Sequence, residues 1–372
     1  MKARRTALIA VFALVATVAA GLGWAQMGDA QTLVIPLAEN EIIASTVRTG
    51  DGTFLVGRRS QQRVRIAIVS TDLKIEEGAV LEADGPIVDF ELASSPSDEA
   101  GTEGAAIAVL ASCPDGFGEQ LPTDDFKNCV GPLKAVSIEL DTSDGQAVGP
   151  QKPLPAGTGS GSLFASSEAY VWDSWDANPA IYSQGEWQNP TSKLSTSTRI
   201  DDRCASKDAF WVMTGNDGPR SVTGQDNAQP ISEPGYELFR YELDASLGSE
   251  WQAVAIGDLE KAGSADLACG DQEAFLRVDH SLISTNRPDK PIAEAEGIVK
   301  LRSNPALRPI AILEHYDACA VVLPGGILKP GDEEAGTIRK AHSICDAVPW
   351  PTEDGLLAVE VDSSGKMELK PW

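Results

Sequence analysis

The chain reads as an all-β protein assembled from repeated hairpins. Three features carry this: Asp-Gly pairs spread along the chain, short β-branched segments between them, and one hairpin motif that recurs. Asp-Gly occurs at Asp51-Gly52, Asp84-Gly85, Asp115-Gly116, Asp144-Gly145, Asp217-Gly218 and Asp354-Gly355, and this pair supplies the positive φ angles that tight hairpins demand. The segments between are Glu41–Thr49, Thr53–Arg58, Val64–Thr71, Ile87–Leu92, Ala105–Ala111, Leu133–Leu140, Tyr236–Leu243, Ala274–Val278, Ile310–Leu313, Ala318–Leu323 and Leu356–Val361. Several alternate polar and apolar residues, the period of a half-buried strand. Helical stretches are few, and the best of them, Glu333–Cys345, is only weakly amphipathic.

At the N-terminal end, Lys2, Arg4 and Arg5 lead into an apolar run from Thr6 to Gly23 and then into Gly23-Trp24-Ala25. This is the pattern of a secretory leader with small residues at the cleavage positions, so residues 1–25 read as a signal peptide. The apolar run is close to the ~20 residues of a membrane span, but its glycines and the cleavage site favour removal, leaving no span in the mature chain. Export, to a periplasmic or extracellular setting, means an oxidising compartment, and the six cysteines then read as a disulfide framework. Loss of the three leader cations takes the formal charge from −25 to −28. Such a surface repels nucleic acid and anionic membranes and favours cationic partners, divalent ions included.

Comparison of the chain with itself gives the repeat. Val136–Gly145 (VSIELDTSDG), Phe239–Gly248 (FRYELDASLG) and Leu357–Lys366 (LAVEVDSSGK) share an alternating strand, then Asp, small polar residues and Gly, then a second strand. Val64–Leu73 and Ile298–Ala306 read as degraded copies. The pattern resembles the third-to-fourth-strand hairpin of β-propeller blades, the quinoprotein-like kind above all, and Phe239–Trp251 is the best match. The resemblance implies radially arranged sheets: one β-propeller over residues 26–372, with about five to seven irregular blades and long loops. The copies are spaced more widely than the ~40–50 residues of a compact blade, so the units must carry insertions. No quinone-ligand motif accompanies it, and no cofactor is expected. Thr32–Leu37 is expected to complete the last sheet beside Leu356–Val361 and Met367–Leu369, because closure removes an exposed edge. The alternative is two β-sandwich domains divided at Gly149–Gly161 (GPQKPLPAGTGSG), which in a propeller is a long loop between blades.

Cysteine order points to sequential pairing: Cys113 with Cys129, Cys319 with Cys345, and Cys204 with Cys269 by elimination, one of fifteen connectivities. Closing the first loop removes ~3 kcal/mol of unfolded-state freedom in the chain-entropy model. His315 and His342 lie near the last pair, but zinc would need reduced thiols, and no metal site is expected. His280 adjoins Asp279 on opposite strand faces, so the two form no dyad. Ser160 in Gly157–Gly161 (GTGSG) has the wrong spacing for a nucleophile elbow. Asp141-Thr142-Ser143-Asp144-Gly145 is explained by hairpin chemistry rather than a calcium loop. No residue is assigned a catalytic role.

One compositional anomaly remains. Residues 170–211 hold four of the eight tryptophans, with carboxylates and amides among them. Aromatic faces beside such groups suit sugar rings, which makes Trp172, Asp173, Trp175, Asp176, Tyr182, Glu186 and Trp187 a candidate ligand site. The competing reading buries Trp172 and Trp211 in the core. Two functions follow: a non-catalytic exported binding or scaffold protein for a protein or glycan partner, or a glycan-active hydrolase using Asp173, Glu186 and Asp201. The leader and cysteine readings predict a mature chain that begins near Gln26 and holds no free thiol. Intact mass with and without alkylation checks both, and a retained leader or two alkylatable cysteines would overturn the compartment argument.

Overall fold

The computed structural model describes residues 31–49, 53–70, 73–94, 105–118, 129–156, 158–166, 169–174, 179–190, 194, 199–216, 235–243, 250–270, 273–294, 298–303, 311–315, 319–323, 326–328, 348–352, 355–362 and 364–371. Residues 1–25, read above as a leader, lie outside them, as do Trp175, Asp176 and the candidate helix Glu333–Cys345 with its terminal cysteine. Within them the chain forms seven four-stranded antiparallel sheets. Strand β1 (Gln31–Val34) belongs to the last of them. Sheet 1 is β2 (Ile42–Arg48), β3 (Phe54–Arg59), β4 (Arg63–Val69) and β5 (Ile75–Glu82). Sheet 2 is β6 (Ile87–Ser94), β7 (Ala105–Ser112), β8 (Lys134–Asp141) and β9 (Ala147–Pro153). Sheet 3 is β10 (Gly161–Ala165), β11 (Tyr170–Ser174), β12 (Ala180–Ser183) and β13 (Glu186–Gln188). Sheet 4 is β14 (Arg199–Ala205), β15 (Ala209–Asn216), β16 (Gly235–Glu242) and β17 (Gln252–Val254). Sheet 5 is β18 (Ala265–Cys269), β19 (Ala274–Val278), β20 (Ser281–Ser284) and β21 (Ala293–Glu294). Sheet 6 is β22 (Ile298–Ser303), β23 (Ala311–His315), β24 (Cys319–Leu323) and β25 (Gly326–Leu328). Sheet 7 is β26 (Val348–Thr352), β27 (Gly355–Val361) and β28 (Lys366–Pro371), and β1 pairs with β28 to complete it.

The order within each sheet follows the chain, and the first strands form a succession in which β2 adjoins β6, β6 adjoins β10, and so on through β22. Sheets stack face against face, which is why the second strands of sheets 1 to 5 are buried without alternation. In β3, Phe54 and Val56 pack with Val361 and Met367 of the closing sheet and with Ile35 just beyond β1, while Leu55 packs with Phe90 and Leu110 of sheet 2. In β7, Ala106, Ala108 and Leu110 face sheet 1, whereas Ile107, Val109 and Ala111 face Leu163 and Trp172 of sheet 3. In β15, Phe210 and Val212 meet Val171 and Ile181, whereas Trp211 and Met213 meet Leu267 and Leu276. Burial on both faces is the signature of a propeller-like fold; a sandwich leaves one face of each sheet to solvent. The two-sandwich alternative is thereby corrected. Packing continues from sheet 2 to sheet 3 on either side of this stretch, where β9 extends to Pro153 and Leu154 shares a core cluster with Leu163 of β10.

The repeat motif is a turn device. Asp141 accepts hydrogen bonds from Ser143 N (2.8 Å) and Ser143 Oγ (2.6 Å), and Gly145 takes φ 62°. Asp362 does the same for Ser364 N (2.9 Å) and Oγ (2.6 Å), with Gly365 at φ 87°. Asx-turn chemistry followed by a left-handed glycine reverses the chain in both. Their places in the fold differ. Val136–Gly145 and Val64–Leu73 begin third strands, as does Phe239, but Leu357–Lys366 joins the second and third strands of sheet 7, and Ile298–Ala306 begins a first strand. The equivalence expected of those two copies is corrected.

Neighbouring first strands are stitched together by side chains. Ser45 Oγ accepts from Leu92 N (3.0 Å), Asp89 from Gly161 N (3.1 Å), Asp202 from Leu267 N (3.0 Å) and Asp266 from Leu301 N (3.1 Å). Three of the four acceptors follow a β-bulge, at Ile43/Ser45, Ile87/Asp89 and Ile200/Asp202. The extra residue re-aims the next side chain out of the ladder. Between sheets 3 and 4 the link is an ion pair of Asp173 with Arg203. Two disulfides add to this. Cys204–Cys269 joins β14 to β18 across 65 residues with Cα atoms 5.6 Å apart, and Cys113–Cys129 closes the β7–β8 connection. The third expected pair, Cys319 with Cys345, falls outside the described residues.

Ring closure has its own anchor. Beyond β1, Ile35 N donates to Gly365 O (2.8 Å), and fully buried Arg58 donates to Pro36 O (3.0 Å) while pairing with Glu77. Arg65 grips Glu41 through Nε (2.6 Å) and a terminal nitrogen (2.5 Å), and Glu41 accepts from Ala38 N (2.8 Å). These groups hold the segment that runs from the closing sheet into sheet 1. Glu77→Ala leaves the Arg58 guanidinium buried without its counter-charge, so it should cost about 3 kcal/mol, whereas Glu82→Ala, which breaks the exposed Arg63–Glu82 pair, should cost under about 1 kcal/mol. Denaturant midpoints of the two variants check this.

Candidate functional site

The aromatic window maps onto sheet 3. Its third and fourth strands are joined by a two-residue turn in which Gln184 (φ 53°) and Gly185 (φ 85°) both adopt positive φ, the type I′ geometry of a tight hairpin. That turn sets Trp187 opposite Tyr182, with ring centres 5.2 Å apart at 51°. Trp187 is half-buried and donates through Nε1 to Ser137 Oγ of sheet 2 (2.7 Å). The Tyr182 hydroxyl donates to Glu139, and Lys152 Nζ lies 2.6 Å from that hydroxyl and 3.1 Å from Glu139. Burial and then Glu139 push the Tyr182 hydroxyl up, and the Tyr182 and Glu139 bonds push the Lys152 ammonium up. Glu186, at the start of β13, is exposed.

The rest of the expected set is elsewhere. Trp172 is 0% exposed and donates through Nε1 to Gly159 O (3.1 Å), so its faces are spent on the contact between sheets 2 and 3. Asp173 is 2% exposed and paired with Arg203; burial pushes its carboxyl up and the guanidinium opposes this. Trp175 and Asp176, between β11 and β12, lie outside the described residues. Asp173 and Glu186 sit two strands apart and four residues out of register, roughly 16 Å by strand geometry, near opposite ends of the sheet. Paired glycosidase carboxylates stand ~5–9.5 Å apart. Asp201 is the extra residue of the β14 bulge and is exposed. The structure therefore brings Tyr182 and Trp187 together, adds Glu139, Lys152 and Ser137 from sheet 2, and leaves Glu186 to alternate onto the other face of β13. That addition was hidden because the partners lie 30 to 50 residues away in sequence.

A second cluster lies on the first strand of sheet 2. Glu91 receives a hydrogen bond from Ser45 Oγ (3.3 Å), the same oxygen that accepts Leu92 N, and Asp89 lies two residues along the strand. Burial, reinforced by the Asp89 charge and opposed by Ser45, pushes the Glu91 carboxyl up to about 7. Burial likewise pushes Asp89 up, against the backbone donors Gly161 N and Phe90 N and the Arg59 charge. Among the described residues no group of acids, histidines and cysteines has metal-binding geometry, and no helix is long and apolar enough to cross a membrane.

No family model matches the chain, and no curated relative matches it. Solved structures do. An acylaminoacyl peptidase of Pyrococcus horikoshii aligns with 87% of this chain and 50% of its own at 12% identity and a TM-score of 0.45. The chain thus spans about half the length of that peptidase. The computationally designed Ika8 protein aligns over 92% of this chain and all of its own, at 12% identity and a TM-score of 0.40. The WD40 domain of Neurospora crassa Pan2 covers 92% of this chain and 95% of its own, at 12% identity and a TM-score of 0.34. The fold assignment rests on the strand connectivity described above.

Glu91 makes stability depend on pH. A carboxyl whose folded value lies near 7 and whose ordinary value is 4.5 holds its proton more tightly in the fold. Its contribution is complete below pH 4.5 and is lost as pH rises through about 7. Glu91→Gln should remove this loss, so that the variant gains on the order of 2 kcal/mol over the parent between pH 5 and pH 8. Urea midpoints at the two pH values measure it; parallel losses in both proteins would discount the effect.

Proposed function

We propose that the protein is an exported, disulfide-stapled, non-catalytic binding or scaffold protein that holds a protein or glycan partner against the rim of sheets 2 and 3. The observation that favours binding over glycan hydrolysis is the placement of the carboxylates. Asp173 is buried in an ion pair, Glu139 is bound by Tyr182 and Lys152, and Asp173 stands far from Glu186. The half-buried Trp187 ring packs against Tyr182, with Lys152 and Glu139 bound to the Tyr182 hydroxyl beside it. An aromatic face with hydrogen-bonding neighbours, fixed by Ser137 and Tyr182, suits a sugar ring or a partner side chain. The leader sequence and the two disulfides support a location outside the cytoplasm, in the periplasm or beyond the cell. The acidic surface argues against nucleic acid as the partner.

The test is a polysaccharide and protein-partner screen of the mature chain, repeated with Trp187→Ala. Binding should fall at least about tenfold, the loss of one anchoring aromatic, with only a modest shift in the thermal midpoint. Trp172→Ala should instead cost ~3–5 kcal/mol, as for a large core side chain. Glycan turnover that disappears in Asp173→Asn would overturn the non-catalytic reading.

A further inference from the structure

A cavity of about 490 Å³ opens at one end of sheet 1, away from the aromatic rim. Its walls are three connections that share this end: residues 38–41 entering β2, residues 60–63 between β3 and β4, and residues 82–83 leaving β5. That volume falls within the ~300–1,000 Å³ of ordinary ligand pockets. The floor is stiff. Glu41 is clamped by Arg65 and Ala38 N, and Asn40 holds a left-handed φ of 64°. The 60–63 wall is held through backbone carbonyls, Gln61 O accepting from Ile87 N (2.8 Å) and Gln62 O from Ala83 N (3.0 Å). Glu39, Asn40, Gln61 and Gln62 are all exposed at the rim.

We infer that this cleft binds a basic side chain, arginine or lysine, carried on an extended segment of a partner protein. The lining decides the chemistry. It contains no aromatic residue on which a sugar ring would stack, and its only apolar residues are two alanines, so neither a glycan nor an apolar molecule fits it. With Glu41 neutralised by Arg65, the lining still carries two carboxylates, Glu39 and Glu82, against the one cation Arg63. Arg63 and Glu82 face each other at 3.0 Å with side chains 55% and 69% exposed, a weak pair that an incoming cation can replace. Side-chain amides at the rim offer donors and acceptors to a peptide backbone. The first wall follows directly from the closing strand, so an occupant that needs all three walls also binds only the closed ring and raises its stability.

The probe is acetyl-Gly-Gly-Arg-Gly-Gly-amide titrated into the mature protein at physiological salt, where the general field of the acidic surface is screened beyond ~8 Å. Saturable binding is expected, with a rise in the thermal midpoint. Glu39→Gln/Glu82→Gln should weaken binding about tenfold, while Glu76→Gln/Glu237→Gln, the same charge change at exposed sites elsewhere, should change it less than about twofold. Trp187→Ala should leave it unaltered, which separates this cleft from the aromatic rim. No saturable binding, equal losses in the two double variants, or equal affinity for the peptide with glutamine in place of arginine would overturn the inference.

Discussion

A ring of radial sheets must solve one problem at its centre: the first strand of each sheet has a partner on only one side. Its remaining N–H groups face inward, and an unpaired buried donor costs ~1–3 kcal/mol. Here the neighbouring sheet supplies the acceptor. Ser45, Asp89, Asp202 and Asp266 each reach across to a backbone N–H of the next first strand. Bulges just before the first three explain how a strand side chain comes to point along the ring rather than into its own ladder. The stitches set the spacing at four boundaries, between sheets 1 and 2, 2 and 3, 4 and 5, and 5 and 6.

Covalent and ionic links reinforce the same geometry. Cys204–Cys269 crosses between the two first strands that Asp202 also joins, so one inter-sheet boundary carries both a disulfide and a stitch. At the closing boundary, Arg58, Arg65, Glu41 and Glu77 perform the equivalent task with charge. Glu41 and Glu77 are both held below the ordinary carboxylate range by hydrogen bonds from the arginines. The concentration of arginine in sheet 1 of a strongly acidic chain is thus a structural requirement: the strand that closes the ring has no covalent continuity with its sheet neighbours and needs a fixed exit.

This economy shapes function as well. Asp89, Asp202 and Asp266, carboxylates that look available in the sequence, are committed to holding sheets together, as Asp173 is to Arg203. The rim of sheets 2 and 3 and the open end of sheet 1 are both assembled from residues of separate segments. Glu139 and Lys152 meet Tyr182 only because β8 and β9 of one sheet lie against β12 of the next.

The sequence alone determined the all-β class, the Asx turns at Asp141 and Asp362 and the use of an N-terminal strand to close the last sheet, and it offered Cys113–Cys129 and Cys204–Cys269 as part of one connectivity among fifteen, which the structure selects. Each is written in residues close together or in a short count of candidates. Strands β11 and β15, buried on both faces, show no alternation and fall outside the β-branched segments, and a recurring Ile-x-polar step, at Ile43-Ala44-Ser45, Ile87-Val88-Asp89, Ile200-Asp201-Asp202 and Ile298-Val299-Lys300, marks four of the first strands. Tertiary structure alone decided that Leu357–Lys366 sits one strand out of phase, that Trp172 is core while Trp187 meets solvent, and that Asp173 belongs to Arg203. Turn chemistry is a matter of adjacent residues. Exposure and charge pairing depend on which face the neighbouring sheet covers, and that sheet comes from a different stretch of chain.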